Sequence, residues 1–182
     1  MLSDPAYPNI HQKLINKCRK GDRKAQFEIY RLYYKSMFNT SLRIVKDPQE
    51  AEDIMQESFL SAFRKIETYQ GKVSFGAWLK RIVINNSLDE LKKRKLFFEE
   101  LNEDYTQLAN QEEAVDEELL EQQMDMIREG IQKLPDGYRV ILSLHLLEGY
   151  DHEEIAEILN ISSSTSRSQF FRAKQKLLRI LQ

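Results

Sequence analysis

The sequence predicts an all-α protein made of two small helical domains joined by an acidic, flexible linker. Glycine and proline are scarce, at six and four in 182 residues. Apolar residues recur at spacings of three and four, which is typical of helices with one buried face. The apolar–polar alternation of strands is hard to find. The distribution of charge then divides this helical chain into two parts.

An acidic segment separates two basic regions. Residues 96–127 contain no Lys or Arg and 11 of the 29 acidic residues, which leaves 18 acidic residues elsewhere against 27 Lys and Arg. The net charge of -2 therefore hides two basic modules, and the local field governs contact with a polyanion. We expect an N-terminal tail over 1–12, domains over 13–96 and 118–182, and a solvated linker over 97–117.

Several classes of protein are disfavoured by what the sequence lacks. No apolar run approaches the roughly 20 residues needed to cross a bilayer, and residues 1–10 have no signal-peptide pattern. We therefore expect a cytoplasmic protein without direct membrane insertion. The single cysteine, Cys18, excludes an internal disulfide framework. His11, His145 and His152 lack metal-ligand spacing, and no nucleophile–histidine or phosphate-loop pattern appears, so we expect no metal, no cofactor and no enzyme.

A helix is predicted to begin at Pro48 in the first domain. Asp47 can cap it, Pro48 suits its first position, and Glu50 stands where a capping box requires it. Its apolar residues share one side, which we expect to be core: Ala51, Met55, Phe59, Ala62, Phe63 and Ile66. The opposite side holds four residues at spacings i, i+3, i+4 and i+7: Asp53, Gln56, Glu57 and Leu60. An acidic face with one exposed leucine fits a protein-docking surface, and a solvated helix face is the alternative.

The loop over 69–75 and the helix after it combine aromatic, basic and hydroxyl side chains. Such a loop can hold an unstacked base by stacking and hydrogen bonding. An ordinary connection between helices, with a buried Phe75, is the alternative. On the following helix, Lys80, Arg81 and the basic run at 92–95 can follow a phosphate backbone.

Residues 150–181 carry the pattern of a helix-turn-helix. Asp151 and Glu154 can form a capping box, Asn160 tolerates the left-handed conformation that ends a helix, and Ser162 can cap the next helix. From Ser162 onward there are five Lys and Arg and no acidic residue. The second helix presents these residues opposite its buried side: Arg167, Ser168, Phe171, Arg172 and Gln175. Such a helix fits the major groove of DNA, and a helical hairpin with a solvated basic face is the alternative.

Two sets of motifs resemble the extracytoplasmic-function (ECF) sigma factors of bacterial RNA polymerase. Residues 47–63 are similar to sigma region 2.2, and residues 75–94 are similar to regions 2.3 and 2.4. Residues 148–173 resemble region 4. The two sets occur in the right order on either side of the acidic linker. The resemblance implies an alternative sigma factor that directs core RNA polymerase to promoters through their -10 and -35 elements.

The resemblance also implies partners and the residues that contact them. The region 2.2 helix would dock on a coiled coil of the polymerase β′ subunit through Asp53, Gln56, Glu57 and Leu60. The β subunit of the core enzyme is a further implied partner. The implied -10 contacts come from the loop and the next helix: Tyr69, Gln70, Gly71, Lys72, Ser74, Lys80, Arg81, Asn85, Lys92, Lys93 and Arg94. The implied -35 contacts come from the last helix: Ser163, Ser164, Arg167, Ser168, Phe171 and Arg172. An anti-sigma factor is a further implied partner.

Three residues of the region 4 motif depart from the usual pattern of the family. Ser164 stands where the family often has glycine, and Gln169 stands where it often has arginine. Ser166 stands where an apolar residue is usual, and it would place a small hydroxyl at a buried position. These departures concern promoter preference. A stand-alone helix-turn-helix regulator that never contacts polymerase is the alternative function, and the face formed by Asp53 to Leu60 argues against it.

Overall fold

All secondary structure in the described residues is helical. The structure is a computed structural model that describes residues 10–94 and 117–182. The prediction of an all-α protein is therefore confirmed. The chain divides into two compact units, Met1–Glu90 and Leu91–Gln182.

The predicted tail and linker fall mostly beyond these residues. Of the tail over 1–12, only residues 10–12 are described, and of the linker over 97–117, only Glu117, where a helix begins. Across the two described ranges, no helix combines the length and apolar character needed to traverse a membrane.

The first unit is built of three helices and most of a fourth. These are α1 (Gln12–Arg19), α2 (Arg23–Val45), α3 (Pro48–Arg64) and α4 (Phe75–Lys93). A short 3-10 turn, Ile66–Thr68, follows α3 and leads into the loop before α4.

Side-chain caps fix where α3 and α4 begin. Asp47 Oδ1 accepts hydrogen bonds from the backbone N–H groups of Gln49 and Glu50, each at 2.9 Å. Pro48 occupies the first turn, so the predicted start of this helix is confirmed. Ser74 Oγ accepts a hydrogen bond from the Ala77 N–H at 3.2 Å and caps α4. Each cap satisfies backbone donors that lack a partner within the helix.

The core of the first unit is apolar and rich in aromatic rings. Phe63, which the sequence assigns to the core side of α3, is half-buried against that core. The other residues assigned to this side, the last of which lies in the following 3-10 turn, are buried: Ala51, Met55, Phe59, Ala62 and Ile66. The rings of Tyr69, Phe75 and Trp78 form a cluster with centroids 5.3 to 5.5 Å apart. Gly76 allows a close approach to α2, since a Cβ there would lie 2.9 Å from the Tyr33 ring.

The second unit contains the remaining elements. They are α5 (Glu117–Lys133), α6 (Asp136–Leu142), a π turn (Ser143–Leu147), α7 (His152–Leu159) and α8 (Ser163–Leu181). Its apolar core is formed by residues of α5, α6 and α8 and of the turn before α6: Ile131, Leu134, Leu142, Ala173 and Leu177.

A buried arginine accompanies this second core. Arg139 is fully buried, and its Nη1 donates hydrogen bonds to Asp136 Oδ1 at 2.6 Å and to the Leu134 carbonyl at 3.3 Å. The carboxylate and the carbonyl thereby satisfy a charge that burial alone would make unfavourable. Gly130 lies against α8, where a Cβ would come within 2.7 Å of Leu177.

The predicted helix-turn-helix is formed by α7 and α8. Asp151 Oδ1 accepts a hydrogen bond from the Glu154 N–H at 2.8 Å, and Glu154 Oε2 accepts one from the Asp151 N–H at 2.9 Å. Asn160 ends α7 in the left-handed conformation, with φ of 56°. Ser162 Oγ accepts a hydrogen bond from the Thr165 N–H at 3.0 Å and caps α8. The capping box, the turn residue and the second cap are therefore confirmed.

Candidate protein and nucleic-acid interfaces

Four predicted site residues lie together on the exposed side of α3. Asp53, Gln56, Glu57 and Leu60 are all exposed, and Leu60 retains 55% of its surface. We call them the docking face. Glu57 Oε1 forms a salt bridge with Arg64 Nη2 at 2.5 Å, and both side chains are well solvated. The side chains are therefore presented to solvent, where a partner can reach them.

An apolar groove borders the docking face. It has a volume of about 490 Å³, and α2 and α3 both line it. Phe27 and Tyr30 come from α2, whereas Leu60 and Phe63 come from α3. Phe27 is 60% exposed and lines the same groove as the exposed Leu60, so the two belong to one apolar patch, which is the feature that marks interaction sites. The sequence analysis missed Phe27 and Tyr30, although their spacing of three on one helix was a usable signal.

The loop after α3 corrects one predicted DNA contact. Tyr69 is only 3% exposed, and its hydroxyl donates a hydrogen bond to the Val73 carbonyl at 2.7 Å. Its own carbonyl accepts a hydrogen bond from Arg19 Nη2 at 2.7 Å. Since its ring packs against Phe75 and Trp78, Tyr69 shapes the loop from inside and does not offer a stacking surface. Sequence reasoning failed here because an aromatic residue in a loop looks alike whether it is buried or exposed.

The other loop residues lie at the surface. Gln70, Lys72 and Ser74 are exposed, although the Ser74 hydroxyl is also engaged as the cap of α4. Gly71 has φ of +73°, a conformation that side chains with a Cβ rarely adopt. The loop therefore presents a polar rim over the buried cluster of Tyr69, Phe75 and Trp78.

The predicted contacts on α4 differ in exposure. Asn85 is exposed, and Lys80 and Arg81 are half-buried. The last three candidates form an exposed basic run at the carboxyl end of the helix: Lys92, Lys93 and Arg94. Positive charge at this end also complements the helix dipole. Helical periodicity places Arg81, Asn85 and Lys92 on one face.

On α8 the predicted contacts fall into two groups. Ser164, Arg167 and Ser168 are exposed, whereas the three others are half-buried: Ser163, Phe171 and Arg172. Glu153 of α7 accepts hydrogen bonds from Ser163 Oγ at 3.1 Å and from Arg167 Nη1 at 3.3 Å. The bond from Ser163 first, then one from its own backbone N–H and then that from Arg167 lower the pKa of the Glu153 carboxyl. This contact across the two helices was not predicted, because the partners lie 10 and 14 residues apart.

The unusual serine of α8 pairs with a histidine. Ser166 is fully buried, which confirms the predicted hydroxyl at a buried position, and its Oγ lies 3.0 Å from His152 Nδ1. The His152 ring stacks on His145 with centroids 4.7 Å apart, and Phe170 meets both rings edge-on. Burial, and then the neighbouring His145, lower the pKa of His152. Within the described residues, no three His, Cys, Asp or Glu side chains gather at a possible metal site.

Two family matches cover these two structural units. Residues 29–97 match the family described as Sigma-70 region 2, and residues 124–177 match Sigma-70, region 4. The first contains the docking face and α4, and the second contains α7 and most of α8.

Individual proteins are similar over most of the chain. The RNA polymerase sigma-H factor of Pseudomonas aeruginosa is 29% identical, and the aligned segment covers 94% of this chain and 93% of that protein. The ECF RNA polymerase sigma factor SigW of Bacillus subtilis is 29% identical, covering 91% of this chain and 94% of its own length. The ECF RNA polymerase sigma factor SigM of the same organism is 32% identical, and the aligned segment covers 82% of this chain and 91% of that protein.

Solved structures share the fold. CnrH, in complex with the cytosolic domain of CnrY, has a TM-score of 0.57 at 18% identity and covers 94% of this chain and 96% of its own. The sigma factor RpoE of Bartonella quintana, in complex with the anti-sigma factor NepR, has a TM-score of 0.57 at 19% identity. The match covers 85% of this chain and 94% of the RpoE chain. The two family matches and the relative that is 32% identical establish that the chain belongs to the ECF RNA polymerase sigma factors.

Proposed function

We propose that this sigma factor binds core RNA polymerase through the docking face of α3 and directs initiation at promoters that it recognises with α4 and α8. The observation that carries the proposal is the docking face beside its apolar groove. Leu60 and Phe27 provide exposed apolar surface at the groove, and the acidic and amide side chains lie beside it along the same face of α3. A central apolar anchor with a polar rim is the usual anatomy of a protein interface.

The domain assignment follows from the same features. A region 2 domain over 13–96 would provide polymerase docking and -10 recognition, and a region 4 domain over 118–182 would provide -35 recognition. The segments over 1–12 and 97–117 would serve as tail and linker. A sigma factor is a DNA-binding initiation factor and not an enzyme, so strand opening would draw on binding energy within the holoenzyme.

The two DNA contacts differ in kind. Around the -10 element, the exposed rim of the 69–75 loop would hold an unpaired base, while Lys80, Arg81, Asn85 and the basic run at 92–94 would follow phosphates. At the -35 element, the amino-terminal half of α8 would enter the major groove. Of the original -10 candidates, only Tyr69 is withdrawn, because its ring is buried.

An anti-sigma factor is a further proposed partner. The similar structures were determined as complexes: CnrH with the cytosolic domain of CnrY, and RpoE with the anti-sigma factor NepR. We place this interaction and the polymerase complex, with its β′ and β subunits, in the cytoplasm.

The test is binding to bacterial core RNA polymerase. The purified chain is mixed with core enzyme, and complex formation is measured for the wild type and for Asp53→Ala/Gln56→Ala/Glu57→Ala. A matched control, Gln12→Ala/Glu28→Ala/Glu67→Ala, also removes two carboxylates and one amide from exposed positions of the first unit, none of which lines the groove. We expect tight binding by wild type and control and a loss of at least about tenfold in the docking-face variant.

The alternative function predicts a different result. A stand-alone regulator would bind DNA without core polymerase and would not form the complex in any variant. Equal binding by the wild type and the docking-face variant would retain a sigma factor but move its main contact away from α3.

A further inference from the structure

We infer that Glu153 is a positioning residue for promoter recognition, which orients Arg167 on α8 toward a base edge and disfavours its contact with phosphate. The inference rests on the proposed contact between α8 and the -35 element and adds the residue that controls its selectivity.

The geometry links three side chains across the helix-turn-helix. Glu153 lies in the first turn of α7, and its Oε1 accepts hydrogen bonds from both Ser163 Oγ and Arg167 Nη1, at 3.1 and 3.3 Å. Ser163 and Arg167 are four residues apart and therefore share a face of α8. One carboxylate thus joins two of the predicted -35 contacts. Like any glutamate of ordinary or lowered pKa, it is negatively charged at neutral pH.

Capping does not account for this carboxylate. Three acidic residues stand at the start of α7, and two of them, Asp151 and Glu154, form the capping box. Glu153 is not part of this box: besides a bond to its own backbone N–H, its carboxylate reaches α8. Its salt bridge to Arg167 is solvent-exposed on both sides, with 68% and 56% of the side chains accessible. Exposed pairs of this kind contribute little to stability, so the contact is better explained by what it does to Arg167.

The expected consequence concerns how Arg167 meets DNA. A guanidinium has five N–H donors in a planar fork, and the bond to Glu153 fixes one of them and the direction of the fork. The remaining donors can still bind the O6 and N7 acceptors of a guanine. The nearby negative charge repels phosphate oxygens, which supply the sequence-independent part of affinity. Glu153 would therefore exchange some overall affinity for discrimination between sequences.

The experiment uses the full chain in holoenzyme with bacterial core RNA polymerase. Holoenzyme selects from a promoter DNA library randomised across the -35 segment, and the bound fraction is sequenced. The variants are Glu153→Gln, Arg167→Ala and the double variant. Glu157→Gln is the matched control, since Glu157 is exposed on the same helix and the substitution removes the same charge. Thermal unfolding of each variant verifies that the second unit remains folded.

We expect Glu153→Gln to lose discrimination roughly two- to fivefold at the positions that Arg167→Ala also affects, which is the range that an exposed pair allows. Its affinity for non-promoter DNA should rise. The double variant should match Arg167→Ala alone, because Glu153 acts through Arg167. The control should retain the wild-type preference.

Three outcomes overturn the inference in distinguishable ways. If Glu153→Gln selects the wild-type sequences while Arg167→Ala does not, Glu153 has no positioning role and the proposed -35 contact stands. If the two substitutions have additive effects, Glu153 contacts DNA by itself. If wild-type holoenzyme enriches no -35 sequence, the proposed -35 contact fails together with the inference.

Discussion

The two units bury different kinds of polar group, although both are small helical assemblies. Over residues 10–90, the buried polar residues of the first unit carry short hydroxyl groups: Thr40, Ser41, Ser58 and Ser87. Ser58 and Ser87 donate hydrogen bonds to backbone carbonyls one turn earlier, at 2.6 and 2.8 Å, and Ser41 pairs with Ser87 at 3.0 Å. The second unit buries the hydroxyls of Ser143 and Ser166, the latter bonded to His152, and in addition the amide of Gln169 and the charged Arg139.

This difference means that the two units depend on different forces. Apolar burial dominates the first unit, and that contribution involves no ionisable group and does not itself change with pH. The second unit also depends on the buried charge of Arg139 and on the imidazole of His152. Its stability therefore changes with the pairing of Arg139 and with the ionisation of His152. The only tryptophan, Trp78, reports unfolding of the first unit by fluorescence. Amide hydrogen exchange in α6 and α8 reports on the second.

The largest effect is expected from Phe59→Ala in the first unit. Phe59 is 2% exposed and packs against Tyr30 with ring centroids 4.9 Å apart. Its truncation leaves a cavity, and we expect the free energy of unfolding to fall by about 3–5 kcal/mol. Denaturant unfolding followed by Trp78 fluorescence measures the loss. The neighbouring Leu60→Ala is the control, and its exposed side chain should leave stability within about 0.5 kcal/mol of wild type. Equal losses would mean that α3 does not bury the side assigned to the core.

The next effect is expected from Asp136→Ala in the second unit. The substitution removes the carboxylate that accepts from Arg139 and leaves a buried guanidinium with a weaker set of acceptors. We expect a loss of about 2–3 kcal/mol, reduced from that of a fully buried pair because Asp136 is partly exposed. Exchange protection in α6 and α8 should fall while the Trp78 transition stays unchanged.

The control for this substitution is an exposed pair on α5. Asp125 accepts a salt bridge from Arg128 at 2.8 Å, and both side chains are well solvated. Asp125→Ala should therefore cost no more than about 0.5 kcal/mol. If both substitutions have this small effect, Arg139 finds sufficient acceptors elsewhere and the contrast between the two units weakens.

What the sequence could predict depended on how far apart the interacting residues lie. Caps at Asp47, Asp151 and Ser162 involve partners within three residues, so the sequence revealed each of them. The stripe of α3 likewise follows from helical periodicity. These local signals were enough to predict the all-α fold and the helix-turn-helix.

Contacts between distant residues could not be predicted in this way. The sequence indicated that Ser166 would be buried, but its partner His152 lies 14 residues away. The burial of Tyr69 depends on rings from α4 and on Arg19, 50 residues earlier. Such contacts depend on how helices pack, and composition and spacing do not determine that. The error at Tyr69 and the omission of Glu153 both have this origin.

A smaller effect is expected from Ser166→Ala. The substitution removes the hydroxyl that bonds to His152 Nδ1 and leaves a partly buried ring nitrogen without this partner. We expect the second unit to lose about 1 kcal/mol, measured by exchange protection in α8. Ser168→Ala is the control on the same helix, because its hydroxyl is exposed and bonds only to the Ser164 carbonyl one turn earlier. A loss in Ser168→Ala as large as that in Ser166→Ala would show that the histidine contact contributes nothing specific.

The smallest and most graded effect is the response of the second unit to acid. Burial and the stacked His145 lower the pKa of His152 below its ordinary value of 6.5, and Arg167 adds to this, whereas Glu153 and Asp151 oppose it. The unfolded chain therefore binds a proton at a higher pH than the folded chain does. Binding of that proton stabilises the unfolded chain more than the folded chain. The free energy of unfolding therefore falls as the pH drops through 6.5 toward the lower pKa that His152 has in the folded state.

The measurement is exchange protection in α8 between about pH 7.5 and pH 5.5, the range in which histidine changes charge. The wild type should lose protection toward the acidic end, and His152→Gln, which cannot titrate, should lose less. The first unit contains one histidine, His11, and its Trp78 transition should change less over the same range. An identical pH response in wild type and His152→Gln would assign the acid sensitivity to other groups. A steeper response in the first unit would reverse the comparison, because ionisable groups of that unit, and not its apolar core, would then govern how its stability changes with pH.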